Sequence, residues 1–249
     1  MSRTRQPDPA RGLFETLLVV NGEPVEVKAH LRRLAGSSRT LYGETLPPEA
    51  ADRLRRVSAG LALGRVRLTV APAAQRLICE ARAERIDPRL HLPPWEEGAD
   101  LRGHRLPGGL GEHKWADRSR LSDAGEQPLL FDSEDKVLEA GWANVFSVRN
   151  GTLFTPPLDG RILPGITRAS VIEIAGEEGI GIEERPVERE ELLGADEAFL
   201  TSSIRGIQPV RSLDGTRGRR GEVGHLLGER LARRYRTSRT LPAALSSSA

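Results

Sequence analysis

The sequence predicts a two-domain protein of the α/β (α+β) class, and three observations predict it. Two Asn-Gly pairs, Asn21-Gly22 and Asn150-Gly151, each stand between apolar runs that read as strands, the pattern of a type I′ hairpin. Segments with helical periodicity are interleaved with these strands on both halves of the chain. Between the halves lies 87–97, with Pro88, Pro93 and Pro94, which reads as a linker. At 249 residues the chain is long enough for each half to bury a core of its own.

In chain order, Leu13–Val20, the Asn21-Gly22 turn and 24–27 read as strand, turn and return strand, with Lys28 at its end. Residues 30–41 place Leu31, Leu34 and Ser38 at helical spacing. Residues 47–63 place Ala51, Leu54, Val57 and Leu61 along one face of a second helix. Residues 66–70 and 76–81 alternate as strands. These elements form a small N-terminal α/β unit, 1–86, followed by the linker and a larger second unit, 98–237. In that unit 137–148 reads as a strand region broken at Gly141, and Thr152–Thr155 returns after Asn150-Gly151. Residues 167–178 form a helix with Val171, Ile174 and Ala175 as its apolar face, Thr167 as its cap and Gly179 at its end. Residues 198–202 read as a short buried strand and 223–234 as the terminal helix. The Ser- and Ala-rich tail, 238–249, reads as disordered.

Composition excludes several function classes. No run approaches the roughly 18 apolar residues that span a bilayer, and the first dozen residues lack the apolar stretch of a secretory signal. Cys79 is the only cysteine, which excludes an internal disulfide and a Cys-based metal site. A cytoplasmic enzyme with neither metal nor membrane partner is the expectation. The net charge is +2, and basic charge is almost entirely arginine, clustered at 215–221 and 230–239. An arginine-rich arm for nucleic acid is one reading. Acidic residues interleave elsewhere and aromatics for base stacking are scarce, so a solvated surface with no nucleic-acid partner is expected instead.

Four pieces of the second half can serve one mechanism. Lys114 is one of three lysines and sits between a glycine-rich stretch and Trp115. A Schiff-base lysine must be desolvated enough for its amine to be neutral and attack an aldehyde; an exposed loop lysine is the plainer alternative. Lys28 and Lys136 lie in a hairpin strand and a polar turn. Glu139 interrupts an apolar strand, so it either faces water at an edge or needs a buried partner such as a protonated pyridine nitrogen. The run from Leu163 to Arg168 leads into a helix whose N-terminal amides, with the Thr167 hydroxyl, suit a phosphate. The hydroxyls of Thr201, Ser202 and Ser203 follow a strand end, where they form either a second part of that cradle or a Ser-rich turn.

These residues, with Phe14-Glu15-Thr16, the run from His30 to Leu34, the run from Glu139 to Phe146, Gly151 to Pro157 and Thr201 to Val210, resemble the class IV aminotransferases, the fold-type IV enzymes of pyridoxal 5′-phosphate (PLP). The likeness covers roughly residues 12 to 215. It implies a small N-terminal α/β domain, a larger C-terminal β-barrel-like domain, PLP between them and a homodimer. It implies that Lys114 holds the cofactor as a Schiff base and moves the proton, that Glu139 pairs with the pyridine nitrogen, and that Arg33, Ile166, Thr167 and Ser203 hold the phosphate. Ile204 and Arg205 stand where substrate carboxylates are met. Arg118, four residues past Lys114, resembles the pattern of the 4-amino-4-deoxychorismate lyases, as does Arg205-Gly206-Ile207. That lyase, forming 4-aminobenzoate and pyruvate, is the expected activity. The alternative is an aminotransferase of the branched-chain or D-amino acid type.

Overall fold

The structure is a computed structural model that describes residues 6–237; the tail expected at 238–249 lies outside the described residues. Strand β1 (Leu13–Val20) turns through Asn21 and Gly22, both at positive φ, into β2 (Glu23–Pro24). The expected return strand stops there. Glu26 takes a left-handed conformation and α1 (Val27–Tyr42) starts immediately, so Lys28 lies on a helix and not on a strand. Helix α2 (Ala50–Ser58) is shorter than the periodicity suggested. Its buried residues are Ala50, Leu54 and Ser58; of the expected face Leu54 is fully buried, while Ala51, Val57 and Leu61 are half-buried. Strands β3 (Leu63–Ala73) and β4 (Arg76–Arg85) complete an antiparallel sheet of order β2-β1-β3-β4.

The alternation of β1 and β3 organises this sheet. Leu13 and Leu17 of β1, with Val66, Leu68 and Val70 of β3, turn toward the helices and pack with Leu34 and Leu54. Each such side chain, almost fully removed from water, contributes about 1.5–3 kcal/mol. The alternate residues, Phe14 and Thr16 on β1 and Arg65 and Arg67 on β3, turn to the other face, where they line a cavity.

Residues 86–98 carry two short 3₁₀ turns, Pro88–Leu90 and Trp95–Glu97. The second sheet is built from β5 (Ala99–Arg105), β6 (Pro128–Phe131), β7 (Val137–Ala140), β8 (Asn144–Arg149), β9 (Thr152–Thr155), β10 (Ile182–Glu184), β11 (Glu197–Ser202), β12 (Gly206–Leu213) and β13 (Thr216–Arg217). The order is β10-β9-β8-β11-β12-β5-β6-β7, with β13 on β12. Strand β7 turns straight into β8 across a bridge between Ala140 and Ala143, so the sheet curls back on itself. Its inner face packs Leu101, Leu129, Phe131, Val145, Leu200 and Val210.

Helices α3 (Ile166–Glu177) and α5 (Val223–Thr237) cover the outer face, and α4 (Arg189–Leu193) is a short connection. Phe146 and Phe199 stack at 5.3 Å between centroids beneath Val171, Ile174, Leu227 and Leu231. Buried Glu197 accepts hydrogen bonds from the amides of Val223 and Gly224 at 3.1 and 2.9 Å, which satisfies the first turn of α5. Leu18 of β1 and Val25, just past the end of β2, join this same core, so the two sheets are packed together. Thr167 is not the cap of α3. Gly165 occupies the N-cap with no side-chain cap bond, which leaves the amides of the first turn open.

Candidate active site

A cavity of about 900 Å³ opens between the two sheets. Every residue expected at the site lines it: Arg33, Lys114, Arg118, Glu139, Ile166, Thr167, Ser203, Ile204 and Arg205. Sequence spacing could not show this convergence, because the residues come from α1, the loop between β5 and β6, β7, the start of α3 and the turn between β11 and β12.

Lys114 is placed by backbone pairing. Its carbonyl accepts from the Phe14 amide at 2.9 Å, and the Ala116 amide donates to the Gly12 carbonyl at 2.9 Å, so this loop runs along β1 like an added strand. Upstream, Gly109 has φ +57°, and a Cβ there would lie 2.0 Å from the Arg161 carbonyl oxygen; only glycine lets the two segments pass. His113 meets the Ser37 hydroxyl through Nδ1 at 3.0 Å, tying the loop to α1. Burial, with Arg33 nearby, lowers the Lys114 amine from an ordinary 10.5 to about 8, against the pull of Glu15.

Glu139 lies opposite on β7, 3% exposed. Its Oε2 accepts from the Leu163 amide at 3.2 Å and from Asn144 Nδ2 at 3.5 Å. Its Oε1 has no hydrogen-bond partner among the described residues. Burial pushes this carboxyl up to about 8, although the Leu163 amide, Arg118 and Lys114 all act to lower it. A buried carboxylate with an orphaned oxygen is costly unless a donor arrives.

The start of α3 forms the third side. Arg33 Nη1 donates to the Pro164 carbonyl at 2.7 Å, and Asn144 Nδ2 to the Leu163 carbonyl at 2.9 Å. Gly165 lies against Asn144 so closely that a Cβ would meet its Oδ1 at 1.9 Å. The open amides of 166 and 167 and the nearby Ser203 hydroxyl therefore share one concave end of the cavity with the Arg33 guanidinium.

Glu15 was missed as a site residue, although it carries the same signal as Glu139, a carboxylate inside an apolar strand. It is 1% exposed and faces α1. It accepts from Arg33 Nε and Nη2 at 2.8 and 2.7 Å and pairs with His30 Nδ1 at 2.8 Å. Burial alone would raise its carboxyl, but Arg33 and His30 hold it down at about 2. His30 and Arg33, three positions apart on α1, share a face; that spacing was the available clue. Arg67 was also missed. Its guanidinium stacks 3.7 Å over the Phe14 ring, and it makes no ion pair among the described residues. Arg118 Nη2 donates to the Gly141 carbonyl, and burial lowers its pKa.

PLP fits these residues. A neutral-capable amine can bond its aldehyde, the α3 end can take its phosphate, and the unpartnered Glu139 Oε1 can take its ring N–H. Comparison with known proteins agrees. The model of the family described as amino-transferase class IV matches residues 12–213. The branched-chain-amino-acid aminotransferase of Escherichia coli (strain K12) is 39% identical over 99 residues, 40% of this chain and 32% of that protein. The match thus spans about a third of that relative's length. The crystal structure of 4-amino-4-deoxychorismate lyase from Pseudomonas aeruginosa superposes with a TM-score of 0.73 at 30% identity, over 90% of this chain and 91% of that one. The PLP-bound form of a hypothetical aminotransferase from Mycobacterium tuberculosis, at 23% identity, shares the fold with a TM-score of 0.76 over 92% of this chain and 90% of that one. Among the described residues no helix is long and apolar enough to cross a membrane.

Proposed function

This chain belongs to the class IV aminotransferases, and from that premise we propose that it is a PLP-dependent 4-amino-4-deoxychorismate lyase releasing 4-aminobenzoate and pyruvate. The observation that carries the choice is a surplus of cations. Arg67, Arg118 and Arg205 line the cavity with no carboxylate in ion-pairing contact among the described residues, while Arg33 is committed to Glu15. Unpaired guanidinium groups in a cavity recognise carboxylates, and the proposed substrate carries two. The likeness to the P. aeruginosa lyase extends over nearly the whole chain, which supports the same reading.

The bound cofactor supplies an electron sink for charge developing on the substrate. Lys114, with its pKa brought near 8, is suited to take the ring proton as the ring becomes aromatic. It can return that proton to the methylene carbon of the departing enolpyruvyl group, so that one C–O bond breaks and pyruvate leaves. Glu139 holds the ring nitrogen, while Arg33, Ile166, Thr167 and Ser203 hold the phosphate. Arg118 and Arg205, with the backbone of Ile204, orient the substrate carboxylates, and Phe14 keeps Arg67 beside them. The same proposal takes 1–86 and 98–237 as two domains with the site between them, and the working form as a homodimer, read as a mass of twice 27.2 kDa by light scattering.

Incubation of the PLP-loaded protein with 4-amino-4-deoxychorismate should release 4-aminobenzoate and pyruvate in equal amounts. Neither product, together with conversion of the cofactor to its amine form by a branched-chain or D-amino acid, would make it an aminotransferase instead.

A further inference from the structure

Beneath the proposed phosphate cradle lies a polar chain that the reaction itself does not use. Glu15 sits at its root, 1% exposed, and His30 in its middle, also 1% exposed. Glu15 Oε2 lies 2.8 Å from His30 Nδ1, and His30 Nε2 lies 3.4 Å from the Ser203 hydroxyl oxygen. Glu15 also grips Arg33 through Nε and Nη2, leaving one N–H on each terminal nitrogen of Arg33 beyond its bonds to Glu15 and the Pro164 carbonyl. Both limbs of Glu15 therefore lead to groups that face the cavity.

The geometry sets the tautomer. An ionised Glu15 requires a proton on Nδ1, so a neutral His30 presents a lone pair at Nε2. The Ser203 O–H must then point at His30, and its oxygen presents only lone pairs to the cradle. A phosphate dianion arriving there would face an acceptor. A proton on Nε2 reverses this arrangement, because His30 then donates to the Ser203 oxygen and the hydroxyl turns its hydrogen to the phosphate.

We propose that Glu15 and His30 are positioning residues of the phosphate cradle, acting through Arg33 and Ser203, and that His30 takes one proton from solvent when a phosphate dianion enters. This rests on the cofactor reading above but not on the choice between lyase and aminotransferase. The titratable and charged groups around the imidazole are Glu15 from β1, Glu26 at the start of α1, Arg33 on α1, Lys114 from its loop and Tyr235 from α5. Burial lowers the His30 pKa, Arg33 and Lys114 add to this, and Glu15 opposes it. The imidazole is therefore neutral before the anion arrives, and the negative phosphate pulls it toward the charged form.

The test uses 4′-deoxypyridoxine 5′-phosphate, which lacks the aldehyde and cannot bond Lys114. Its binding to the cofactor-free protein is followed by calorimetry at pH 8, where the phosphate is already a dianion, in two buffers of different ionisation enthalpy. Lys114 and Glu139 also titrate near this pH, so the reading is a difference: the parent should take up about one proton more per molecule bound than His30→Gln, with a shift of the His30 Cε1–H resonance to the imidazolium position. Deoxypyridoxine without phosphate should leave the His30 resonance in place and give the parent and His30→Gln the same proton balance. In His30→Gln that extra proton should be absent and affinity fall by about tenfold, the loss of one charge-assisted hydrogen bond. Ser203→Ala should weaken binding yet keep the uptake. The same proton balance in the parent and in His30→Gln, or a His30 resonance unmoved in the unmodified protein, overturns the inference and leaves the cofactor reading standing. A complete failure to bind the phosphorylated probe overturns both.

Discussion

Lys114 and Glu139 are the two groups whose ordinary chemistry is most altered by the cavity, and they are altered in opposite senses. A lysine brought to about 8 is half neutral at mildly alkaline pH, so loading of PLP should speed up with pH along an inflection near 8 and not near 10.5. Stopped-flow absorbance reads this directly, and Lys114→Ala should give no such absorbance change and lose at least a thousandfold in turnover. Glu139, raised to about 8, retains in the folded cofactor-free protein a proton that the unfolded chain has released. That protein should lose stability as pH rises from about 5 to about 8. Glu139→Gln should remove that slope in melting temperatures, while cutting turnover of the loaded enzyme by at least tenfold. Lys114 acts in a separate window, since its lowered pKa makes stability rise between about 8 and 10.5. For Arg67, held over Phe14 without an acidic partner, Arg67→Ala should raise KM for the diacid about ten- to a hundredfold and change kcat less. An unchanged KM would remove Arg67 from substrate recognition.

At the scale of elements, the glycine-flanked start of α3 is decisive. Gly165→Ala would drive a Cβ into Asn144, displacing the side chain that ties the Leu163 carbonyl to β8. Affinity for inorganic phosphate should fall more than thermal stability does, measured by titration and by melting on the same variant. An equal loss of both would mean that the substitution only unfolds α3. The helix itself was legible from Val171, Ile174 and Ala175, which are all buried. Its cap was not, because the Thr167 hydroxyl faces tertiary neighbours that local sequence does not reveal. Residues 24–27 failed for a related reason. Their strand propensity was overridden when Glu26 adopted a left-handed turn and α1 began at Val27, where its apolar face could reach β1 and β3.

Across the whole molecule, the core beneath α3 and α5 joins the two sheets through Leu18 and Val25 and so fixes the width of the cavity. Leu231, fully buried in that core, should cost about 2–5 kcal/mol on replacement by alanine. Denaturant unfolding checks it, and a variant within 1 kcal/mol of the parent would show that α5 contributes little to the packing. The chain by itself determined the two Asn-Gly turns, the helices α1, α3 and α5 and the family resemblance, and it singled out Lys114 and Glu139, because these depend on local backbone preference and on unusual residues in apolar runs. Strands such as β5, β6 and β12 carried no local signal strong enough to read. Only the tertiary structure decided that those groups share one cavity with Arg67, and that Glu15 and His30 stand behind Arg33 and Ser203. Such convergence depends on how strands register and which face each side chain takes, and burial and pairing energies of this kind exist only once distant segments have been brought together.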